Sequence, residues 1–277
     1  MKVKDADIFT LEIITESLIA ACEESFITLG RTSKSPIIYE ILDCGCGITD
    51  EKGLLIAQSY GVPGFQGLIS FAVEESIEKY GQQGFEEGDI IMTNNVYKSS
   101  THLPDVSLVM PIFYKDEIIA FSANKAHWTE IGGKDPGSMS VDSVEIYQEG
   151  LQFPAVKLFE RGKINKAIVD VVAQNVRVPN MCIGDMYAQA ASVGVAGRRI
   201  VEIYEKYGLD TVKEASRWYL AYGEEVAKKE LEMLPKGSFE AEDYVDDDGI
   251  TEDPIYTRVK VNITDESFHV DFTGSDS

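Results

Sequence analysis

Only three histidines occur in this chain, and two of them stand where chemistry could gather. In Thr101-His102-Leu-Pro-Asp105, His102 and Asp105 are three residues apart around a proline. A straight strand would point them to opposite faces. Pro104 fixes its own φ and pushes Leu103 toward an extended conformation, so the segment can bend and bring both side chains to one point. His127 closes the apolar run 118–124 through Asn124-Lys-Ala-His127, and Asp43 ends another apolar run just before Cys44-Gly-Cys-Gly47. Two imidazoles with two carboxylates make a nitrogen and oxygen site for a divalent ion such as Zn, Mn or Fe, not a thiolate site. On spacing alone, the competing reading is that Asp43 and Asp105 only cap turns.

After His127 comes a loop, Ile131-Gly132-Gly133-Lys-Asp-Pro136-Gly137-Ser138-Met139, rich in residues that let backbone approach a ligand. Gly132, Gly133 and Ser138 are therefore candidate substrate-wall positions. Glu145 and Glu149 follow, either as acid/base or supporting groups, or as a solvated face. His269, within Ser-Phe-His-Val-Asp271, reads as a structural strand residue.

Other chemistries are excluded by motif. No G-x-x-x-x-G-K-[ST] loop, G-x-S-x-G elbow or H-E-x-x-H helix occurs, and Gly45-Cys-Gly47 lacks the third glycine of a dinucleotide fingerprint. Aligning Asp246, Asp248 and Gly249 to a calcium loop puts Tyr244 and Ile255 at ligand positions, so a strand–Asp-Gly–strand turn fits better. Cys44 and Cys46 lack the second close pair of a zinc knuckle, so four reduced, mostly buried thiols are expected.

The elements that must carry these residues are legible from periodicity. Residues 8–29 form an amphipathic stripe with Gly30 as a stop, and 65–80 read as a second helix ending at Gly81. Strands are expected at 37–42, 54–58, 89–93, 106–113 and 118–124, with a hairpin turn at Lys115-Asp116. Helices follow over 164–174, 180–207 and, capped by Asp210, up to Leu234. Strands return at 238–245, 255–263 and 268–272. The class is α+β: a mixed β-sheet core, a helical block and a C-terminal β segment.

Composition sets the setting. Among 277 residues, 25 Lys and Arg against 47 Asp and Glu give a net charge of −22. Nucleic acid and anionic membrane surfaces are poor partners for such a chain. No apolar run approaches the ~20 residues of a membrane span. The opening residues carry acids inside their apolar stretch and no cleavage site, so a cytosolic (cytoplasmic) protein is expected.

Longer runs of residues resemble the hydantoinase B/oxoprolinase family. They are Arg31-Thr-Ser-Lys-Ser-Pro-Ile-Ile-Tyr-Glu40-Ile-Leu-Asp43, Gly88-Asp89, Asn94-Asn-Val-Tyr97-Lys-Ser-Ser-Thr101-His-Leu-Pro-Asp105 and Ala126-His127 with Gly132-Gly133 and Pro136-Gly-Ser-Met139. The series continues through Glu145-Ile-Tyr-Gln-Glu-Gly150, Pro154-Ala-Val-Lys157, Asn175-Val-Arg177, Gly184-Asp185-Met-Tyr-Ala188, Leu234-Pro-Lys-Gly237 and Asp271-Phe-Thr-Gly274. The resemblance implies a metal held by Asp43, His102, Asp105 and His127; Asp43, His102 and His127, together with Glu145 from its place after the glycine loop, are the candidate catalytic groups. It implies the metal-bearing subunit of an ATP-dependent enzyme that opens a cyclic amide (a hydantoin, 5-oxoproline or a lactam). Its partner in a hetero-oligomer would be a hydantoinase A-type subunit that binds ATP. A ketone carboxylase subunit of the acetone or acetophenone type and a non-catalytic scaffold subunit are the alternatives.

Departures from the family pattern bear on pocket shape. Asn95, Val96, Ser99 and Ser100 replace Asp-Pro and a glycine pair, and Phe65 stands where a histidine is frequent. Family members are roughly twice as long. Residues 1–234 would then be the metal-binding core and 235–277 the truncated start of a β-rich second domain, so that the chain resembles the N-terminal half of a longer fold.

Overall fold

The structure, a computed structural model, describes residues 6–276. Asp7 caps the first helix, α1 (Ile8–Thr32), by accepting the Thr10 N–H at 3.1 Å. The helix continues through Gly30, the expected stop, and ends where the Ser33 N–H bonds the Leu29 carbonyl. Residues 37–42, read as a strand, instead form a single helical turn, α2 (Pro36–Tyr39). Pro36 sits at its first position, and the buried Asp185 carboxylate accepts the N–H groups of Lys34 and Ser35 just before it. These local bonds outweigh the β propensity of the two isoleucines and the tyrosine.

Next come β1 (Cys44–Asp50), β2 (Leu55–Gly61), α3 (Pro63–Tyr80), β3 (Ile90–Thr93), β4 (Asp105–Tyr114), β5 (Glu117–His127), β6 (Val156–Glu160) and β7 (Lys163–Ile164). They form one sheet in the order β2-β1-β5-β4-β3-β6-β7. The α+β class stands, and within it the expected mixed sheet is antiparallel in every pairing. Lys115 and Asp116 both take positive φ, 52° and 64°, as the hairpin turn joining β4 to β5 requires.

Helices α4 (Lys166–Asn175), α5 (Pro179–Tyr207) and α6 (Leu209–Met233) complete the helical block. One sheet face packs on α1 and α5 through Leu11, Ile14, Leu18, Ile48, Ile112 and Ile200. The other meets α3 through Ile69, Val73, Val109, Phe121 and Ala123. With both faces covered, the central strands β4 and β5 are buried almost end to end, which explains their near-continuous apolar character.

Helix α6 buries only Val212 and Ala215. After it, β8 (Gly237–Val245), β9 (Ile255–Ile263) and β10 (Phe268–Asp271) make a separate antiparallel sheet ordered β10-β9-β8. The expected tight Asp-Gly turn is a longer loop over 246–254, in which the Asp248 carboxylate accepts the N–H groups of Ile250 and Thr251.

At the end of β2, Gly61 has φ 143°, and a Cβ there would lie 2.3 Å from the Cys44 carbonyl oxygen. Gly61→Ala must therefore displace backbone beside Asp43, and it should cost about 2 kcal/mol or more. Urea denaturation checks this; a loss below about 0.5 kcal/mol contradicts the packing.

Candidate metal centre

The Thr101–Pro104 turn bends as Pro104 demands. Leu103 enters the core, and the Asp105 N–H returns to the His102 carbonyl at 3.1 Å. Asp105 then opens β4 directly opposite His127, the last residue of β5. Facing pairs in adjacent strands bring side chains on one face into contact. The Pro104 carbonyl accepts the Trp128 N–H at 2.9 Å and so fixes the end of β5.

The fully buried Asp105 carboxylate lies between the two imidazoles. Its Oδ2 is 3.1 Å from His102 Nδ1, and its Oδ1 is 3.3 Å from His127 Nδ1. The rings meet edge to face with centroids 4.9 Å apart. One donor atom from each of His102, Asp105 and His127 lies within 4.8 Å of the others. Asp43 leaves the α2 turn, not a strand; its carbonyl accepts the His127 N–H at 3.0 Å, and its Oδ2 stands 3.9 Å from His127 Nδ1. Three of the expected four residues thus converge, and Asp43 stands beside His127 outside that cluster.

Two observations test whether these residues fit a cation. His102 Nδ1 and Asp105 Oδ1 are buried with no hydrogen-bond partner. Such groups are costly unless something completes them. Bonds of ~2.0–2.2 Å around a tetrahedral ion put neighbouring donors roughly 3.3–3.6 Å apart; the two imidazole–carboxylate separations lie near this, each to a different Asp105 oxygen, and the three donors together span up to 4.8 Å. Burial and the neighbouring Asp105 carboxylate push the Asp43 carboxyl above its usual range, against the pull of His127 and His102. A cation between the two acids would relieve that repulsion.

Residues that motif reading did not select support the cluster. Thr101 donates its hydroxyl to Asp105 Oδ2. Trp128, wholly buried, donates Nε1–H to Gln189 Oε1 at 2.7 Å, and Gln189 in turn donates to the Val106 carbonyl. Lys125, also fully buried, is held between the 99–100 turn and the sheet. Burial pushes its ammonium down to about 8 while the Asp105 and Glu75 charges hold it up. The one sequence signal for Lys125 was a lone charge within the run Ile118–Ala126.

The glycine loop is bound into itself. Ser138 is buried; its hydroxyl accepts the Ile131 and Gly133 N–H groups at 3.0 and 2.9 Å and donates to Glu130 Oε1 at 2.7 Å. Glu130 is clamped by Arg177 and accepts the Gly132 N–H. Cβ atoms on Gly132 and Gly133 would strike the carbonyls of Asn175 and Glu149. Both glycines thus serve backbone packing, and the Ser138 hydroxyl is fully used inside the loop. Glu145 is exposed at the start of a 3₁₀ turn over 146–148, and no contact among the described residues joins it to the cluster. All four cysteines are free and buried, and burial pushes the Cys46 thiol up to about 11. Exposed His269 lies in the second sheet.

Against known proteins, residues 7–277 match the hydantoinase B/oxoprolinase family, and the chain belongs to it. It is 36% identical to a protein of Pseudomonas sp. (strain NS671) provisionally named as the B-type subunit of a D-/L-hydantoinase, covering 98% of this chain and 47% of that one. It is 27% identical to the beta subunit of the Pseudomonas jessenii caprolactamase over 95% of this chain and 45% of that one. A crystal structure of that organism's ATP-dependent caprolactamase superposes with a TM-score of 0.87 at 26% identity, covering 96% of this chain and 46% of that one. A nucleotide-free acetone carboxylase shares the fold, with a TM-score of 0.91 at 17% identity over 99% of this chain and 38% of that one. The chain spans about half the length of the curated hydantoinase and caprolactamase relatives. No helix of the described residues is long and apolar enough to cross a membrane.

The loop yields two expectations. Ser138→Ala leaves two buried N–H groups without an acceptor and should cost roughly 1–3 kcal/mol, read by urea denaturation. Burial raises the Glu130 pKa, but bonds from Arg177, Ser138 and Gly132 outweigh it and hold the carboxyl below its ordinary 4.5. Its contribution is thus present above pH 4.5 and lost as pH falls through the lower folded value. Loop protection in hydrogen exchange should fall on that acid limb, and Glu130→Gln should flatten the dependence.

Proposed function

We propose that this chain is the metal-bearing subunit of an ATP-dependent enzyme that opens a cyclic amide, with Asp43, His102, Asp105 and His127 holding one divalent ion (Zn, Mn or Fe). The observation that carries this reading is the Asp105 carboxylate, buried between two imidazoles, with its Oδ1 and His102 Nδ1 lacking hydrogen-bond partners. An ion held there supplies Lewis acidity toward a carbonyl oxygen and lowers the pKa of water. The Thr101 hydroxyl fixes the Asp105 carboxylate between the two rings. His102 and Asp43 are partly exposed and form the open side, where a small polar ring can approach.

Relatives named as the B-type subunit of a hydantoinase and the beta subunit of a caprolactamase support a hetero-oligomer. A hydantoinase A-type partner would bind ATP and activate the substrate, in keeping with the missing phosphate-binding loop here. Within such an enzyme, residues 235–277 would begin a second, β-rich domain. The exposed Glu145 and the Gly132–Ser138 loop would border the substrate only after a rearrangement that brings them to the cluster.

A ketone carboxylase subunit is the second reading. The chain is 29% identical to the acetophenone carboxylase delta subunit of Aromatoleum aromaticum, and Asn95, Val96, Ser99 and Ser100 reshape the segment leading to His102. ATP consumption by the chain with its partner separates the two: 5-oxoproline or hydantoins drive it in the first reading, ketones with bicarbonate in the second.

His102→Ala and His127→Ala should each lose bound metal, read by elemental analysis, while circular dichroism stays unchanged. Stoichiometric metal in both variants would contradict the site, and a wild-type protein without metal would favour a scaffold role. The isolated chain should show no ATP turnover with any of these substrates; hydrolysis by it alone would refute the division of labour.

A further inference from the structure

Lys125 lies two residues before His127, on the same face of β5. Its cross-strand partner is Ser107, two residues after Asp105, so the lysine stands one register step behind the Asp105–His127 pair. Its ammonium donates to the Ser99 carbonyl at 2.6 Å and the Ser100 hydroxyl at 2.8 Å. The Ser100 hydroxyl donates in turn to the Asp105 carbonyl at 2.9 Å. From the other side, Glu75 on α3 accepts the hydroxyls of Ser99 and Thr93 and the side-chain amide of Asn95. The turn leading into His102 is therefore tied to strand and helix at once.

A fully buried ammonium is unfavourable unless its surroundings use it. Here it bonds the turn before one ligand and, through the Ser100 hydroxyl, reaches the backbone carbonyl of another. We propose that Lys125 is a positioning residue for the metal ligands: it clamps Ser99 and Ser100, so fixing the turn that presents His102 and, through the Ser100 hydroxyl, the backbone of Asp105. This rests on the metal centre proposed above.

The test uses the full chain with Zn²⁺ and Co²⁺ as probes. Lys125→Met keeps the length of the side chain and removes the charge. It should weaken Zn²⁺ binding about tenfold in a chelator competition and shift the visible bands of the Co²⁺-loaded protein, with circular dichroism unchanged. Ser107→Ala, whose hydroxyl has no hydrogen-bond partner, faces the same layer and should change neither readout. An equal loss in Ser107→Ala would overturn the inference, since packing alone would then explain it. If Lys125→Met does not fold, Ser100→Ala decides: weaker Zn²⁺ binding with shifted Co²⁺ bands supports the clamp, and unchanged values overturn it. Wild-type protein that takes up neither ion overturns the metal centre and this inference together. Wild-type binding matched by a folded Lys125→Met overturns this inference alone.

Discussion

The centre depends on one pairing, Asp105 of β4 facing His127 of β5. Side chains alternate along a strand, so a shift of one residue in that ladder would turn Asp105 away from the imidazole and turn Lys125 into the opposite core. The register is held at both ends. Lys115 and Asp116 start it at the hairpin turn, a one-residue shift between Ile112 and Phe113 brings it to the register of the site, and the Pro104 carbonyl holds it there by accepting the Trp128 N–H. Between them, the two faces of β5 carry different cargo. Asn124 joins Gln189 and Ser192 of α5, whereas Lys125 reaches the turn before His102.

The convergence of His102, Asp105 and His127 was legible because donor-rich residues stood at the edges of apolar runs, where strands end and side chains meet. The helices were legible because their stripes were long, and α1, α3, α5 and α6 lie where periodicity placed them to within a few residues. Segment 37–42 was misread because its isoleucines and tyrosine favour strands. The Asp185 carboxylate that holds it as a turn is about 150 residues away in sequence. No local rule can weigh such a bond.

The glycine loop shows a second limit. Glycine and serine in a loop after a histidine fit both a ligand-approaching backbone and a backbone packed on itself. Only the partners decide, and here Ser138 is spent on Ile131, Gly133 and Glu130. Lys125 was hidden for a related reason. Its role lies in what it touches, and lysine in an apolar run is equally compatible with a side chain that escapes to solvent.

The hairpin joining β4 to β5 also bears on how the centre assembles. Zipping from Lys115 and Asp116 is a local event, and it delivers Asp105, His127 and, through the adjoining turn, His102 with little loss of chain entropy. Asp43 arrives only when β1 docks along β5, a far longer closure. Three candidate donors can therefore meet on a nascent ribbon before Asp43 reaches them, so most of the cluster is a product of local folding.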